Sequence, residues 1–333
     1  MPLRVAPLTA AAVAAAVALA LVPLVVTDYF LTAIAIKTLW LGIAAASLIF
    51  LAAYGGMVSL AQTALYGVCA YTVADLVAHH GWAPWPAIGA GMVVTVAAGL
   101  GFGLVASRSS GIYFLMITFA YAVIAFYLFL QVPEFGSHEG INDVAVPSLL
   151  GDTFAHRERM YYAALVAAAA VYALIRYVVR TPFGLALQGV RDDPVRMRAV
   201  GYHVGLHRTL AFGFAALVAS VAGVFAVAYE TRISPGSIDL TRTIDVLTIA
   251  VIGGLYRLEG AWIGALIFVA AENYTRGYTE RFETWIGALF LIIVLLSPGG
   301  VAGIATALAR RAARALPRAG AGAAKDPSAV ERA

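Results

Sequence analysis

The chain has 333 residues, of which 62% are hydrophobic and only 12% charged, with a formal net charge of +4. A soluble domain carries roughly 25% charged residues, so this composition excludes a water-soluble fold and calls for an exterior solvated by lipid. The positive charge does not mark a nucleic-acid binder, because the arginines cluster in one internal loop and in the C-terminal tail, as on the cytoplasmic faces of membrane proteins.

Taken in chain order, apolar runs of about 20 residues predict spans at Ala6–Val26, Phe30–Ala53, Met57–Val77, Ala83–Ala106, Gly111–Gln131, Met160–Val179, Thr209–Tyr229 and Thr284–Ser297. Between Ile244 and Glu272 the apolar run is interrupted by Gly253-Gly254 and by Tyr256-Arg257-Leu258-Glu259-Gly260, which predicts two short segments in a tight hairpin. The fold class is therefore all-α: a polytopic integral membrane protein of about ten transmembrane or re-entrant helices, some glycine-broken. Arg4, the Ala/Val-rich run and Ala18–Ala20 also fit a cleaved signal peptide, but retaining the first segment gives an even number of crossings. A permease domain over 1–305 and a basic tail over 306–333, partly disordered, complete the organisation. Within the tail, Arg310 and Arg314 share a face of Ile304–Leu316 suited to membrane lipid.

A cytoplasmic N-terminus places Arg108, the loop 180–208 and the tail inside, so both termini are expected in the cytoplasm. Val132–Arg159, Glu230–Thr243 and Asn273–Glu283 become outer loops. The ionisable residues Lys37, Asp75, Asp245 and Glu272 fall near predicted outer ends, and Lys37 is expected to snorkel to the interface. The single cysteine, Cys69, reads as a small buried hydrophobe. His79, His80, His138, His156, His203 and His207 sit in loops or at span ends, which suits solvated surface rather than catalysis or a metal site. No enzyme motif is present. Neither lysine, Lys37 or Lys325, follows a glycine, so the chain lacks the phosphate-binding loop of an ATPase. No cofactor is implied.

The loop from Arg180 to Arg208 carries two sets of helix punctuation. Thr181 can cap a helix that starts at Pro182 and ends near Gly189; Asp193 can cap a second over Pro194–Val200 that ends at Gly201. Two turns of helix are unstable alone in water, so a rigidly capped one between spans makes sense as a docking element. Asp192, Asp193, Pro194, Arg196, Arg198 and Gly201 are the candidate residues there. Gly55-Gly56-Met57-Val58-Ser59-Leu60 and Gly253-Gly254-Leu255-Tyr256-Arg257-Leu258 share a Gly-Gly-x-x-x-Leu pattern. Broken helices at corresponding places point to a transport pathway, with Gly55, Gly56, Ser59, Gln62, Gly253 and Gly254 as its candidates. Ser59 and Gln62 share a helix face, and are expected at the route, at a seam between subunits, or bonded back to their own helix.

Several stretches together resemble the LivM-type permease subunits of branched-chain amino acid ABC importers. They are Gly55–Leu60 leading to Gly67-Val68-Cys69-Ala70-Tyr71; Arg108-Ser109-Ser110-Gly111-Ile112-Tyr113-Phe114; Arg180-Thr181-Pro182-Phe183-Gly184 through Arg191-Asp192-Asp193-Pro194; Ser234-Pro235; Val251–Leu255; and Ser297-Pro298-Gly299-Gly300. The resemblance implies that Asp192–Gly201 seats on an ATPase subunit. It also implies a second homologous permease subunit, two ATP-binding subunits and a periplasmic solute-binding protein at the bacterial inner membrane. Departures bear on the solute: Ser59-Leu60-Ala61-Gln62-Thr63 stands where the family has Ser-Leu-Gly-His-Ala. Phe135–Gly140 replaces its Thr-Gly-Gly turn, and Arg257 and Glu259, expected to form an ion pair, stand where small residues are usual. Branched-chain amino acids lead, with urea or short amides as the alternative; an ion-coupled secondary transporter and a passive channel are the competing classes.

Overall fold

The computed structural model describes residue 23 and residues 27–142, 144, 157–277, 282–296, 299–301 and 303. The predicted span Ala6–Val26, apart from residue 23, and the tail 306–333 lie outside these. Helix α1, Asp28–Gly55, carries a π-helical stretch at Leu31–Ile36. There follow α2 (Gln62–Ala78), α3 (Pro84–Ala106), α4 (Ile112–Gln131), α5 (Arg157–Arg180), α6 (Pro182–Asp192), α7 (Pro194–Ala199), α8 (Val204–Glu230), α9 (Leu240–Gly253), α10 (Gly260–Arg276) and α11 (Phe282–Leu296). The architecture among the described residues is all-α, with one isolated bridge, Ile141 to Ile233, joining two loops. Five helices, α1, α3, α4, α5 and α8, are long and apolar enough to cross a membrane.

Two of those five form the interior. In their most apolar windows α1 is 89% and α8 is 78% buried, against 22–28% for α3, α4 and α5, whose other residues are half-buried or exposed on the single chain. Packing relies on small residues, since lipid and protein interior are equally apolar and only close approach favours association. The buried residues of α3 are Ala87, Gly91, Thr95, Gly99, Gly103 and Ala106, a stripe four residues apart for most of its length. A Cβ on Gly99 would overlap Ala216 of α8, and one on Gly103 would meet the Thr209 backbone.

Both glycine pairs end helices. Gly56 has φ +66 and Gly254 φ +113, conformations that favour glycine. The Met57 N–H returns to the Leu51 carbonyl at 3.0 Å, closing the end of α1. The next helix begins at Gln62, seven positions after Gly55, and at Gly260, seven positions after Gly253. The predicted span from Met57 is corrected accordingly, for residues 57–61 are a non-helical break, with Met57, Ser59 and Ala61 buried and Val58 and Leu60 half-buried. Its polar groups are met by side chains, Leu60 N–H on Thr118 Oγ1 at 3.1 Å and Ala61 N–H on Ser59 Oγ at 3.2 Å. Backbone of this kind is tolerated at membrane depth only inside protein or beside a polar cavity.

Three further expectations are revised. Helix α6 does not stop near Gly189 but runs to Asp192, because Gly189 serves as a contact: a Cβ there would lie 2.9 Å from Met197 Sδ of α7. Glu259 does not pair with Arg257; it meets Tyr172 Oη at 2.9 Å and Arg176 at 3.7 Å, tying the second break to α5. The stretch assigned to an outer loop before Thr243 folds inward: Tyr66 of α2 donates to the Ser237 carbonyl, and Ile238, fully buried, sits against Gly67.

Candidate functional site

At the arginine-rich end, the two capped helices start where their punctuation puts them, at Pro182 and Pro194. Thr181 Oγ1 accepts from Gly184 N–H at 3.4 Å. Asp193 Oδ1 accepts from Val195 N–H at 3.0 Å and Arg196 N–H at 2.9 Å. The exit of α7 is a Schellman turn: Gly201, at φ +96, donates to the Arg198 carbonyl at 3.0 Å and Tyr202 to that of Met197 at 3.0 Å. Arg196, Arg198, Val195 and Val200 are all exposed, so α7 offers a surface of mixed cationic and aliphatic character.

Helix α6 fastens this surface to the first glycine break. Leu187, fully buried, lies toward Gly55. Arg191 lays its aliphatic stem over Gly56, where a Cβ would be 2.6 Å from Arg191 Cγ, and its guanidinium donates to the Ala53 carbonyl. The same guanidinium pairs with Asp192 at 2.7 Å. Only a glycine lets the arginine stem lie this close. The two sets of sequence candidates, Asp192–Gly201 and Gly55-Gly56, are thus brought together through one side chain, Arg191, which sequence reasoning named in the loop and in its family-like stretch but gave no partner.

Ser59 and Gln62 are sealed in the interior, at 0% and 1% exposure. Ser59 bonds to its own break, while Gln62 Oε1 accepts from Ser47 Oγ of α1 at 2.9 Å. Gln62 Nε2 has no partner among the described residues, a cost of about 1–3 kcal/mol for a buried donor. Gly253 and Gly254 sit at the second break, where Gly253 faces the Gly260 carbonyl and Gly254 the Gly299 carbonyl.

Lys37 has a partner on another helix. Its Nζ lies 2.8 Å from Glu272 Oε2 of α10, and Glu272 Oε1 takes Arg276 at 2.9 Å; the glutamate is 3% exposed. Antiparallel packing of α1 on α10 brings residues 235 positions apart to one level. Arg242 and Asp245 of α9 pair nearby at 3.5 Å. Asp75 instead bonds His79 at 2.9 Å at the exposed end of α2. Among the described residues no group of three or more His, Cys, Asp or Glu is arranged to hold a metal ion.

Buried helices packed through glycine, two glycine-ended breaks and a docked pair of short amphipathic helices define a multi-pass α-helical membrane protein with a built-in connection between an exposed surface and its interior. The chain belongs to the family described as branched-chain amino acid transport system / permease component, whose model matches residues 30–298. It is 25% identical over 270 residues, 74% of this chain, to the high-affinity branched-chain amino acid transport system permease protein LivM of Salmonella typhimurium, and 24% identical to that of Escherichia coli. The chain spans 64% of the length of these relatives. The permease protein LivH of Escherichia coli is 28% identical over 177 residues, half of this chain and 57% of LivH. No solved structure matches.

Proposed function

We propose that the chain is a transmembrane permease subunit of an ABC importer, moving a small solute, with branched-chain amino acids leading, across the bacterial inner membrane by ATP hydrolysed on partner subunits. The observation that carries this reading is the connection from the exposed helix α7 through α6 and Arg191 to the break at Gly55-Gly56. A chain without a phosphate-binding loop needs an external energy source, and this connection is a route by which motion of a docked ATPase reaches the interior. Arg196 and Arg198 supply cations, Val195 and Val200 apolar contact, for such a partner. The relatives' names, two different permease proteins of one kind of transport system, support a second permease subunit as a partner; a solute-binding protein is the further partner that the family resemblance implies. Termini in the cytoplasm and the arginine-rich end inside follow from the positive-inside rule, and the domain limits 1–305 and 306–333 go with that orientation.

An ion-coupled transporter is disfavoured by the pairing of Lys37 with Glu272: a coupling carboxylate must be free to exchange its ion, and this one holds two cations. The test is co-expression with candidate ATPase and solute-binding proteins from the same genome, affinity purification and reconstitution. ATPase subunits should co-purify, and uptake of leucine should require ATP on the ATPase side and the binding protein on the other. Uptake that persists without ATP and follows an imposed ion gradient would overturn the reading.

A further inference from the structure

A groove of about 700 Å³ runs down the side of the bundle between α3 and α5, with α8 as its floor. Ile88 and Met92 of α3 and Ala163 and Ala167 of α5 form its walls, and Val224 and Phe225 of α8 lie beneath. At its mouth stand Trp85, Arg159 and Tyr162. Chain direction fixes which end of the bundle that is. Helix α5 runs into α6, and α8 leaves from α7, so the start of α5 and the end of α8 lie opposite the arginine-rich end. Helix α3 packs antiparallel to α8, Gly103 at Thr209 and Gly99 at Ala216, and therefore starts at that same end.

The three helices have 23, 24 and 27 residues. They rise about 35–40 Å, more than the ~30 Å hydrocarbon layer, so their ends reach the headgroups. Trp85 is the second residue of α3 and Arg159 the third of α5, which puts both at headgroup level, where tryptophan and tyrosine are enriched. From Arg159 the groove descends to Ala167, about 12 Å along the helix and most of one leaflet's half of the hydrocarbon layer.

Arg159 is exposed and is the one charged residue of the lining. Arg157, on the same turn, is held by Asp28 at 3.2 Å. Arg159 forms no ion pair among the described residues, and Glu158, between the two arginines, does not line the groove. Below the mouth every lining residue is apolar, so a polar solute would find nothing there to orient it. The arrangement suits an occupant with an anionic end at headgroup level and a long apolar remainder. A phospholipid has both: a phosphate for the planar guanidinium and an acyl chain for the space left by Ala163 and Ala167. A groove open along its side lets such a molecule enter from the bilayer.

We propose that this groove binds a phospholipid of net negative charge, its phosphate on Arg159 and an acyl chain over Val224 and Phe225. The bound lipid fills the gap between α3 and α5, and the site depends neither on the solute carried nor on the importer reading.

The test is native mass spectrometry of the chain, purified in mild detergent and offered equal amounts of phosphatidylglycerol and phosphatidylcholine. Phosphatidylglycerol should be retained at least about fivefold over phosphatidylcholine, the preference that one basic residue near the headgroups supplies. Arg159→Gln should bring the two lipids to parity. Ala167→Phe should fill the groove and lose both, with the variant still accumulating in membranes. Equal retention of the two lipids by the wild type, or a preference that survives Arg159→Gln, would overturn the proposal. So would retention undiminished by Ala167→Phe, which places the lipid elsewhere. A wild-type chain that retains no phosphatidylglycerol, or loses it on forming a complex with a second permease subunit, also overturns it, because protein then fills the groove.

Discussion

Replacing Glu272 with leucine should destabilise the chain by about 3–5 kcal/mol, the cost of stranding a buried charge whose partner has been removed. The carboxylate is the shared anion of two cations, Lys37 at 2.8 Å and Arg276 at 2.9 Å. Their exposures differ, 19% for the Lys37 side chain and 52% for that of Arg276, so the arginine can turn to solvent and the lysine is the charge left behind. Lys37→Met should cost less than Glu272→Leu, because Arg276 still neutralises the glutamate. The double variant Lys37→Met/Glu272→Leu should recover most of the loss, since a buried ion pair replaced whole by apolar groups is often neutral or better. Unfolding of purified protein in a detergent titration measures the series. A double variant as unstable as Glu272→Leu would show that the pair's charges are not what matters there.

Gly223→Val should remove the folded protein from the membrane. A Cβ at this position of α8 would overlap the Tyr66 carbonyl of α2 and come within 3.0 Å of Cys69 Cβ, so the obstruction is backbone and a rotamer change cannot relieve it. Overpacking costs about 1–3 kcal/mol and more where backbone must move, and here it separates two helices of the interior. Gly89→Val is the matched control, on the exterior of α3 with nothing within 4 Å of a Cβ. Accumulation in membranes should fall for the first variant and hold for the second. Equal accumulation of the two would deny that close approach of α2 and α8 supports the fold.

What could be read in the chain beforehand was mostly local backbone chemistry. Thr181-Pro182, Asp193-Pro194 and Gly201 state helix starts and stops within a few residues, and the structure forms caps at each. Gly56 and Gly254 announce left-handed ends in the same way. Interior faces were less legible. Helix α3 is apolar all round, so hydrophobic periodicity carries no contrast between lipid and protein. The signal that was available is the recurrence of small residues, Ala87, Gly91, Thr95, Gly99 and Gly103, on one face. Other features depend on distant partners. Lys37 reads as a lone lysine near a span end, and its partner Glu272 comes from 235 positions away on α10. The segment before Thr243 reads as an outer loop because it carries charge, and only its bond to Tyr66 and the contact of Ile238 with Gly67 reveal that it dips inward. Arg191 was visible as one loop arginine among several, but its seat on Gly56 depends on the fold of α6 against α1.

The measurement that bears most directly on the central claim compares solute-stimulated ATPase activity with uptake in proteoliposomes carrying Gly201→Val. Gly201 sits at φ +96 with nothing within 4 Å of a Cβ, so the substitution strains only the left-handed exit of α7 and crowds no neighbour. Asp193→Ala makes a gentler lesion at the other end, costing about 1 kcal/mol of local helix stability. If α7 transmits motion of the ATPase through α6 and Arg191 to the glycine break, Gly201→Val should keep membrane insertion and ATP hydrolysis while uptake per ATP falls, with Asp193→Ala intermediate. Wild-type uptake per ATP in Gly201→Val would contradict the account, because the capped loop would then not be the transmission element.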